Sequence, residues 1–119
     1  MTMKLHHVNL TVPVGRSTPI AAFYCDVLGL RRIPRPENER AGVWLEMADG
    51  TQLHLSERDG SPHPEQHFAL MVDNLSAVRV RLGEAGATFH PADDLFNTGG
   101  RGFVYDPAGN RIELIAKGS

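Results

Sequence analysis

The chain has 119 residues, 41% of them apolar, and a formal net charge of −2 at pH 7. This length predicts one domain that buries a core without disulfides or a structural metal. The composition is ordinary for a globular protein and argues against disorder, and the apolar runs are far too short to cross a membrane. Because the charge gives no electrostatic argument for nucleic acid or anionic lipid, the expected partner is a small molecule.

The sequence also bears on the cellular compartment. No basic segment followed by an apolar stretch precedes the first predicted strand, so no signal peptide is expected. The single cysteine, Cys25, cannot form an internal disulfide, which fits a reducing compartment and a cytoplasmic protein. Cys25 lies off the apolar face of its predicted helix and has no neighbouring base, so it is not a candidate nucleophile.

The first predicted strand, residues 5–12, has two unlike faces. Strand alternation places His7 and Asn9 on a polar face and turns His6 to the opposite, mainly apolar face, which excludes His6 as a ligand beside His7. Ser17 is the predicted N-cap of the helix that follows, in which apolar residues recur at i, i+3 and i+4 spacing.

Three more strands complete the first half of the chain. They are expected at 30–33, 42–48 and 51–56, with a polar loop at 34–39 after the first of them. Asp49-Gly50 is a strong two-residue turn signal, so the second and third of these strands form a hairpin. Alternation places His54 on a polar face. Trp44 or Glu46 could line the site, but ordinary strand packing is the expectation for both. Loop 57–65, which contains glycine and prolines, is the best internal boundary.

The pattern of one strand, one helix and three strands then starts again. The expected elements are a strand at 66–72, a helix capped by Asn74 or Ser76, and strands at 87–90, 102–105 and 111–116. Segment 67–72 repeats His, Leu and Val of segment 7–12 at an offset of 67 − 7 = 60 residues. The chain is therefore an internal duplication, with too few copies for a solenoid.

The duplication extends to polar residues on the closing strands. His54 follows His7 by 54 − 7 = 47 residues, and Glu113 follows His67 by 113 − 67 = 46 residues. Each half thus offers one potential ligand on its first strand and one on its last. Three imidazoles and a carboxylate suit Zn²⁺, Ni²⁺, Fe²⁺ or Mn²⁺ and leave positions open for substrate. The predicted metal site therefore consists of His7, His54, His67 and Glu113.

The segment before Glu113 is a strong turn signal. Residues 106–110 combine Asp-Pro with Gly-Asn, in which proline pre-sets φ and Gly109 or Asn110 takes φ > 0. The expected role of this turn is structural, because it sets the register of the strand that carries Glu113.

The strand before this turn carries further candidates. Arg101, Phe103 and Tyr105 share one of its faces. Arg101 is expected either to bind an anionic substrate group or to be solvated, and the two aromatic residues either shape the pocket or pack. His63, in the loop between the halves, and His90, at a strand end, are expected to lie outside the site.

The paired βαβββ plan and three segments together resemble the vicinal oxygen chelate superfamily. The segments are His7-Val8-Asn9-Leu10-Thr11-Val12, Phe23-Tyr24-Cys25-Asp26-Val27-Leu28-Gly29 and Asp106-Pro107-Ala108-Gly109-Asn110-Arg111-Ile112-Glu113-Leu114. Members include glyoxalase I, fosfomycin-resistance proteins, extradiol dioxygenases and bleomycin-resistance proteins. The resemblance implies an α+β fold in which residues 1–119 form a single domain, and two modules, about 1–58 and 66–119, make a cupped mixed sheet.

The resemblance also carries over to single positions. His7, His67 and Glu113 match ligand positions of the metal-dependent members. His54 matches a position that bears a glutamate ligand in glyoxalase I and no ligand in fosfomycin-resistance enzymes. Many small members are homodimers whose sites combine ligands from both chains, so a homodimer is expected.

For activity, the resemblance implies a lyase, isomerase or transferase in which two adjacent substrate oxygens chelate a divalent metal. Glu113 or His54, where it is not a ligand, would take a proton α to a polarised carbonyl. Asn9 and Phe103 stand where fosfomycin-resistance enzymes have a threonine and a tyrosine, and are expected to contact substrate.

Two other classes of function stay open. One is a dioxygenase that uses His7, His67 and Glu113 as a facial triad for Fe²⁺. The other is a metal-free binding module of the bleomycin-resistance kind, which sequesters a ligand without transforming it.

Overall fold

Residues 1–37 and 40–118 are described by the computed structural model. The predicted loop at 34–39 therefore lies partly outside the described residues. The chain forms two compact units, Met1–Pro62 and His63–Ser119. Each unit contains a four-stranded mixed sheet and one helix, which confirms the predicted α+β fold of two βαβββ modules. Neither helix in the described ranges is long and apolar enough to cross a membrane.

The first unit follows the predicted order of elements. It contains β1 (His7–Val12), α1 (Ser17–Asp26), β2 (Arg31–Ile33), β3 (Gly42–Glu46) and β4 (Gln52–Glu57). The strand order is β1-β4-β3-β2, with β1 parallel to β4 and the other pairs antiparallel. The first and last strands of the module are therefore neighbours, and Asn9 pairs with His54.

The core of this unit lies between α1 and one face of the sheet. Its buried apolar side chains are Leu10, Val12, Ile20, Ala21, Phe23, Tyr24, Val27, Val43, Leu45, Leu53 and Leu55. Alternation along the strands turns His7, Trp44 and His54 to the other face of the sheet. The polar and aromatic candidates therefore share the face that α1 does not cover.

The N-terminus of α1 is stabilised differently from the prediction. Arg16 is the N-cap and makes no side-chain capping bond, whereas Ser17 is the first helical residue and is buried. The Glu57 carboxylate accepts the Gly15 N–H at 2.8 Å and the Ser17 hydroxyl at 2.5 Å. A carboxylate from the end of β4 thus supplies the negative charge that a helix N-terminus favours, and the predicted N-cap role of Ser17 is wrong.

The β3–β4 hairpin has one loop residue more than predicted. Met47 N–H donates to the Thr51 carbonyl at 2.8 Å, so the loop comprises residues 48–50. Gly50 has φ +89, the left-handed conformation that ends a common three-residue hairpin loop. This loop sets the register in which Trp44 pairs with His54.

The second unit repeats the same arrangement. It contains β5 (His67–Val72), α2 (Leu75–Glu84), β6 (His90–Pro91), β7 (Arg101–Tyr105) and β8 (Arg111–Ala116), in the sheet order β5-β8-β7-β6. Asn74 is the cap of α2, because its side-chain oxygen accepts the Ala77 N–H at 3.0 Å. The strand predicted at 87–90 is wrong in extent, since β6 spans His90–Pro91 and the Ala92 N–H also donates to the Arg101 carbonyl at 3.0 Å.

The turn before β8 is structural, as predicted. The Asp106 carboxylate accepts the N–H groups of Ala108 and Asn110, both at 2.9 Å, and the Asn110 side-chain amide at 3.0 Å. Gly109, and not Asn110, takes the positive φ, at +90. This turn, in which Asp106 and Asn110 are buried, sets the antiparallel register in which Phe103 lies opposite Glu113.

Candidate functional site

In the first unit, His54 lies in an aromatic stack. Its ring is 4.0 Å from the Trp44 ring on one side and 4.0 Å from the His7 ring on the other, with interplanar angles of 4° and 16°. The residue is only 7% exposed. Its Nε2 donates to the Gln52 side-chain oxygen at 2.8 Å, because an amide oxygen can only accept.

This environment keeps the His54 ring neutral. Burial, followed by the charges of His7, His6 and Arg35, lowers the pKa of His54 to about 4. Both effects act against the protonated ring, because burial removes its hydration and the neighbours repel a second positive charge. A neutral imidazole is the form that binds a metal or accepts a proton.

His6 does not behave as strand alternation predicted. Its Nδ1 lies 2.9 Å from the Nδ1 of His7, and the two rings meet edge to face. β1 begins at His7, so the period-two rule for side chains does not extend to His6. The prediction that His6 points away from His7 is wrong. One of the two Nδ1 atoms must donate to the other, which links their tautomers.

In the second unit, Glu113 contacts one basic side chain from each of the two strands beside it. Its Oε1 lies 3.0 Å from His67 Nε2, and Arg101 Nε donates to its Oε2 at 2.5 Å. Glu113 is 5% exposed. Burial alone would raise the pKa of Glu113, but hydrogen bonds and charge from Arg101, and then His67, outweigh it and hold the pKa below its ordinary value.

Both ring nitrogens of His67 face acceptors. Nδ1 lies 3.1 Å from the Glu65 carbonyl oxygen, and Nε2 lies 3.0 Å from the Glu113 carboxylate. A neutral imidazole carries one N–H and can satisfy only one of them. The other contact therefore requires either a second proton on the ring or a cation.

Phe103 lies at the centre of the same face. The His67 ring meets it edge to face at 5.4 Å, and the guanidinium carbons of Arg111 and Arg101 lie 3.8 and 5.0 Å from its centroid. Tyr105 follows at the end of β7 and is 43% exposed. Phe103 and Arg101 thus contact the His67–Glu113 pair directly, and Arg111 stacks on Phe103 beside it.

The residues predicted to bind substrate differ in their exposure and in their hydrogen-bond partners. The Arg101 side chain is only 13% exposed and pairs with Glu113. Its Nη1 also donates to the Asp93 carbonyl at 3.0 Å. The expectation that Arg101 is a solvated side chain is therefore wrong. Asn9 is exposed and accepts the Ser56 hydroxyl at 2.5 Å. Substrate binding by Asn9, Arg101, Phe103 and Tyr105 stays a prediction.

Two histidines have contacts of their own away from these pairs. His63 Nδ1 accepts the N–H groups of Glu65 and Gln66 at 3.1 and 3.2 Å, which closes the loop before β5. His90 is exposed and has its nearest ring contact with Tyr105, 6.1 Å away. Both lie outside the candidate pairs.

The sequence favoured ordinary packing for Trp44 and gave no indication of Gln52 or Arg111. Trp44 and Gln52 reach His54 from a paired strand and from two positions back on the same strand. Counting back from the hairpin loop would have placed Trp44 opposite His54, but only with the correct loop length. No sequence signal separates Arg111 from an ordinary surface arginine.

The four predicted metal ligands lie in two pairs, each of which could contribute to binding a divalent ion. Within the described ranges, no three potential His, Cys, Asp or Glu ligands converge on one point. The structure instead brings His7 next to His54, and His67 next to Glu113. The 3.0 Å between His67 Nε2 and Glu113 Oε1 is also about the separation of two ligands that lie ~2.1 Å from one ion at a right angle.

Comparison with known proteins identifies the class to which the chain belongs. The sequence model of the Glyoxalase/Bleomycin resistance protein/Dioxygenase superfamily matches residues 4–114. The chain therefore belongs to this superfamily, and the resemblance inferred from its residues is confirmed. No curated protein matches the chain significantly.

Particular solved structures share the fold along their whole length. A protein from Bacillus anthracis described as a glyoxalase family member is 28% identical with a TM-score of 0.86, covering 98% of this chain and 97% of that one. The fosfomycin resistance protein FosX from Listeria monocytogenes, complexed as a mutant with Mn(II) and 1S,2S-dihydroxypropylphosphonic acid, is 18% identical with a TM-score of 0.83 over 98% and 94% of the chains. TnmS3, an antibiotic binding protein from Streptomyces sp. CB03234, is 21% identical with a TM-score of 0.74 over 98% of each.

Proposed function

We propose that the protein is a metal-dependent enzyme of this superfamily, a lyase, isomerase or transferase that acts on a small substrate with two adjacent oxygens. The ligands of the divalent ion are His7, His54, His67 and Glu113. The observation that carries the proposal is the His67 ring, which has an acceptor at each nitrogen.

The His67–Glu113 contact has the form of a ligand pair. The Glu65 carbonyl can only accept, so His67 Nδ1 carries a proton and Nε2 presents its lone pair to a carboxylate that stays ionised. Two lone pairs that face each other at 3.0 Å repel unless a cation or a proton lies between them. A histidine that donates Nδ1–H to a backbone carbonyl while Nε2 binds metal is the usual arrangement in metalloproteins.

The first unit offers imidazoles in the matching form. His54 is neutral at physiological pH because its pKa is about 4. The Nδ1–Nδ1 contact with His6 links the tautomer of His7 to that of His6. His54 therefore need not lose a proton before it binds an ion.

A bound divalent ion supplies Lewis-acid polarisation of the substrate oxygens. The chain's own residues supply orientation and proton transfer. Arg101 holds one oxygen of Glu113, which leaves the other directed at His67. Where His54 is not a ligand, its neutral ring, buried against Trp44, makes it the candidate base for a proton next to a polarised carbonyl.

Metal binding tests the proposal directly. We expect the protein as purified to retain a divalent metal, and the chelated protein to bind Mn²⁺ in isothermal titration calorimetry. His67→Ala, Glu113→Gln, His7→Ala and His54→Ala should each weaken Mn²⁺ binding by at least about tenfold. His90→Ala is the matched control, because it removes an exposed imidazole outside the pairs. A protein that binds no divalent metal, or variants that bind it as the wild type does, would overturn the proposal.

A metal-free binding module is the second candidate, and one observation favours it. Arg101 and a doubly protonated His67 together satisfy both oxygens of Glu113 without an ion. In that case the variants above would change ligand affinity and leave metal content at background.

Oxygen uptake with catechols after anaerobic addition of Fe²⁺ would instead assign the dioxygenase class. The expected homodimer also stays a prediction, which analytical ultracentrifugation tests.

A further inference from the structure

The face of β5, β7 and β8 that carries Glu113 has one more positive than negative charge. Its charged side chains are Arg101, Arg111 and Glu113, which alternate with the fully buried Val104, Ile112 and Leu114. Arg101 pairs with Glu113 at 2.5 Å. Among the described residues no carboxylate lies within ion-pair distance of Arg111, so its charge is the one left without a partner.

The hydrogen bonds of Arg111 are also incomplete. Its Nη1 makes one long contact, 3.4 Å, to the Glu65 carbonyl. Its Nε is buried and has no acceptor among the described residues. A guanidinium has five N–H donors, and buried donors without acceptors cost free energy. Because Nε is buried, an external acceptor would bind at the Nη groups, of which Nη1 has only the long Glu65 contact.

Phe103 holds this guanidinium in place. The Arg111 guanidinium carbon lies 3.8 Å from the centroid of the Phe103 ring. Stacking on an aromatic face leaves the donor edge of the planar group free and restricts its rotation. The side chain is therefore oriented in advance for bidentate binding of a carboxylate, phosphonate or phosphate group.

The position of Arg111 places such a group beside the proposed metal ligands. Arg111 pairs in register with His67 on β5 and with Tyr105 on β7, and it precedes Glu113 on the same face by two residues. Two residues along a strand span roughly 7 Å. An oxyanion on Arg111 is thus within one small molecule's length of the His67–Glu113 pair.

We propose that Arg111 binds an oxyanion group of the substrate, so that the substrate is a small organic anion. The position of this group relative to the chemistry rests on the proposed function, whereas the anion site itself depends only on Arg111 and Phe103. Arg101, the arginine that the sequence offered for this role, is engaged by Glu113.

The test uses the chelated, metal-free protein and simple aromatic probes. Benzoate and phenylphosphonate are titrated by isothermal titration calorimetry, with benzamide as the neutral isostere of benzoate. We expect both anions to bind at least about tenfold more tightly than benzamide, and Arg111→Gln to remove that preference. Arg111→Met keeps an apolar stem on Phe103 and should lose the preference equally. Arg79→Gln is the matched control, because Arg79 stacks on Phe89 at 4.4 Å but lies on α2.

The outcomes separate this inference from the proposed function. Equal binding of benzoate and benzamide, or anion binding that survives in a folded Arg111 variant, overturns the inference even if Mn²⁺ still binds. If the protein binds anions through Arg111 but has no affinity for metal, the inference is supported and the proposed function is contradicted. If Arg111→Gln does not fold, the inference is decided by Arg111→Met and by the comparison of benzoate with benzamide binding in the wild type.

Discussion

The buried His54 ring makes the stability of the metal-free protein depend on pH. The pKa of His54 is about 4 in the folded protein and 6.5 in an unfolded chain. Below pH 6.5 the unfolded chain therefore binds a proton that the folded protein does not, and the free energy of unfolding falls until the pH reaches about 4. At ~1.4 kcal/mol for each pH unit over the 2.5 units between 6.5 and about 4, the loss attributable to His54 is at most about 3.5 kcal/mol.

Trp44 provides the assay, because it is the single tryptophan and stacks on the His54 ring. Urea unfolding of the chelated protein is followed by Trp44 fluorescence at pH 7 and pH 4.5. We expect the wild type to lose more stability between these pH values than His54→Gln, by about 2 kcal/mol. His90→Gln, which removes an exposed histidine, should follow the wild type. Equal pH dependence of the wild type and His54→Gln would refute the reasoning.

Two further predictions concern the supports of the fold. Glu57→Gln should destabilise the protein by about 1–2 kcal/mol in urea unfolding, because the charge that accepts the Gly15 N–H and the Ser17 hydroxyl is lost. Ser17→Ala should cost less, since it leaves the Gly15 bond in place, and a larger loss in Ser17→Ala than in Glu57→Gln would contradict this assignment. Gly109→Ala should cost about 1–2 kcal/mol through backbone strain alone, since φ is +90 and no atom lies within 4 Å of the added Cβ. A thermal melt unchanged by Gly109→Ala would show that the turn relaxes.

The two candidate pairs, His7–His54 and His67–Glu113, differ in whether their hydrogen-bonding groups are satisfied without a metal ion. His54 is satisfied by Gln52 and held between two rings, so its first-unit environment is complete without an ion. His67 is not, because both of its nitrogens face acceptors. We therefore expect Mn²⁺ affinity to fall further in His67→Ala than in His54→Ala, which the calorimetric series under the proposed function measures.

The sequence alone determined the module plan and the pairing of candidates. Period-two alternation predicted the faces of β4 and β8, and the 60-residue offset matched His7 with His67. These inferences succeed because they depend on short-range geometry: a strand alternates whatever lies beside it. The turn before Glu113 was equally readable, since Asp, Pro and Gly act on their own backbone.

Only the tertiary structure decided which side chains meet. Whether Trp44 reaches His54 depends on a loop of three residues rather than two, and whether Arg101 is free depends on a carboxylate on the next strand. Arg111 has no ion-pair partner among the described residues, and its buried Nε has no acceptor there. Contacts between strands follow from register, and register depends on loop length and on the packing of the whole sheet, neither of which a local pattern contains.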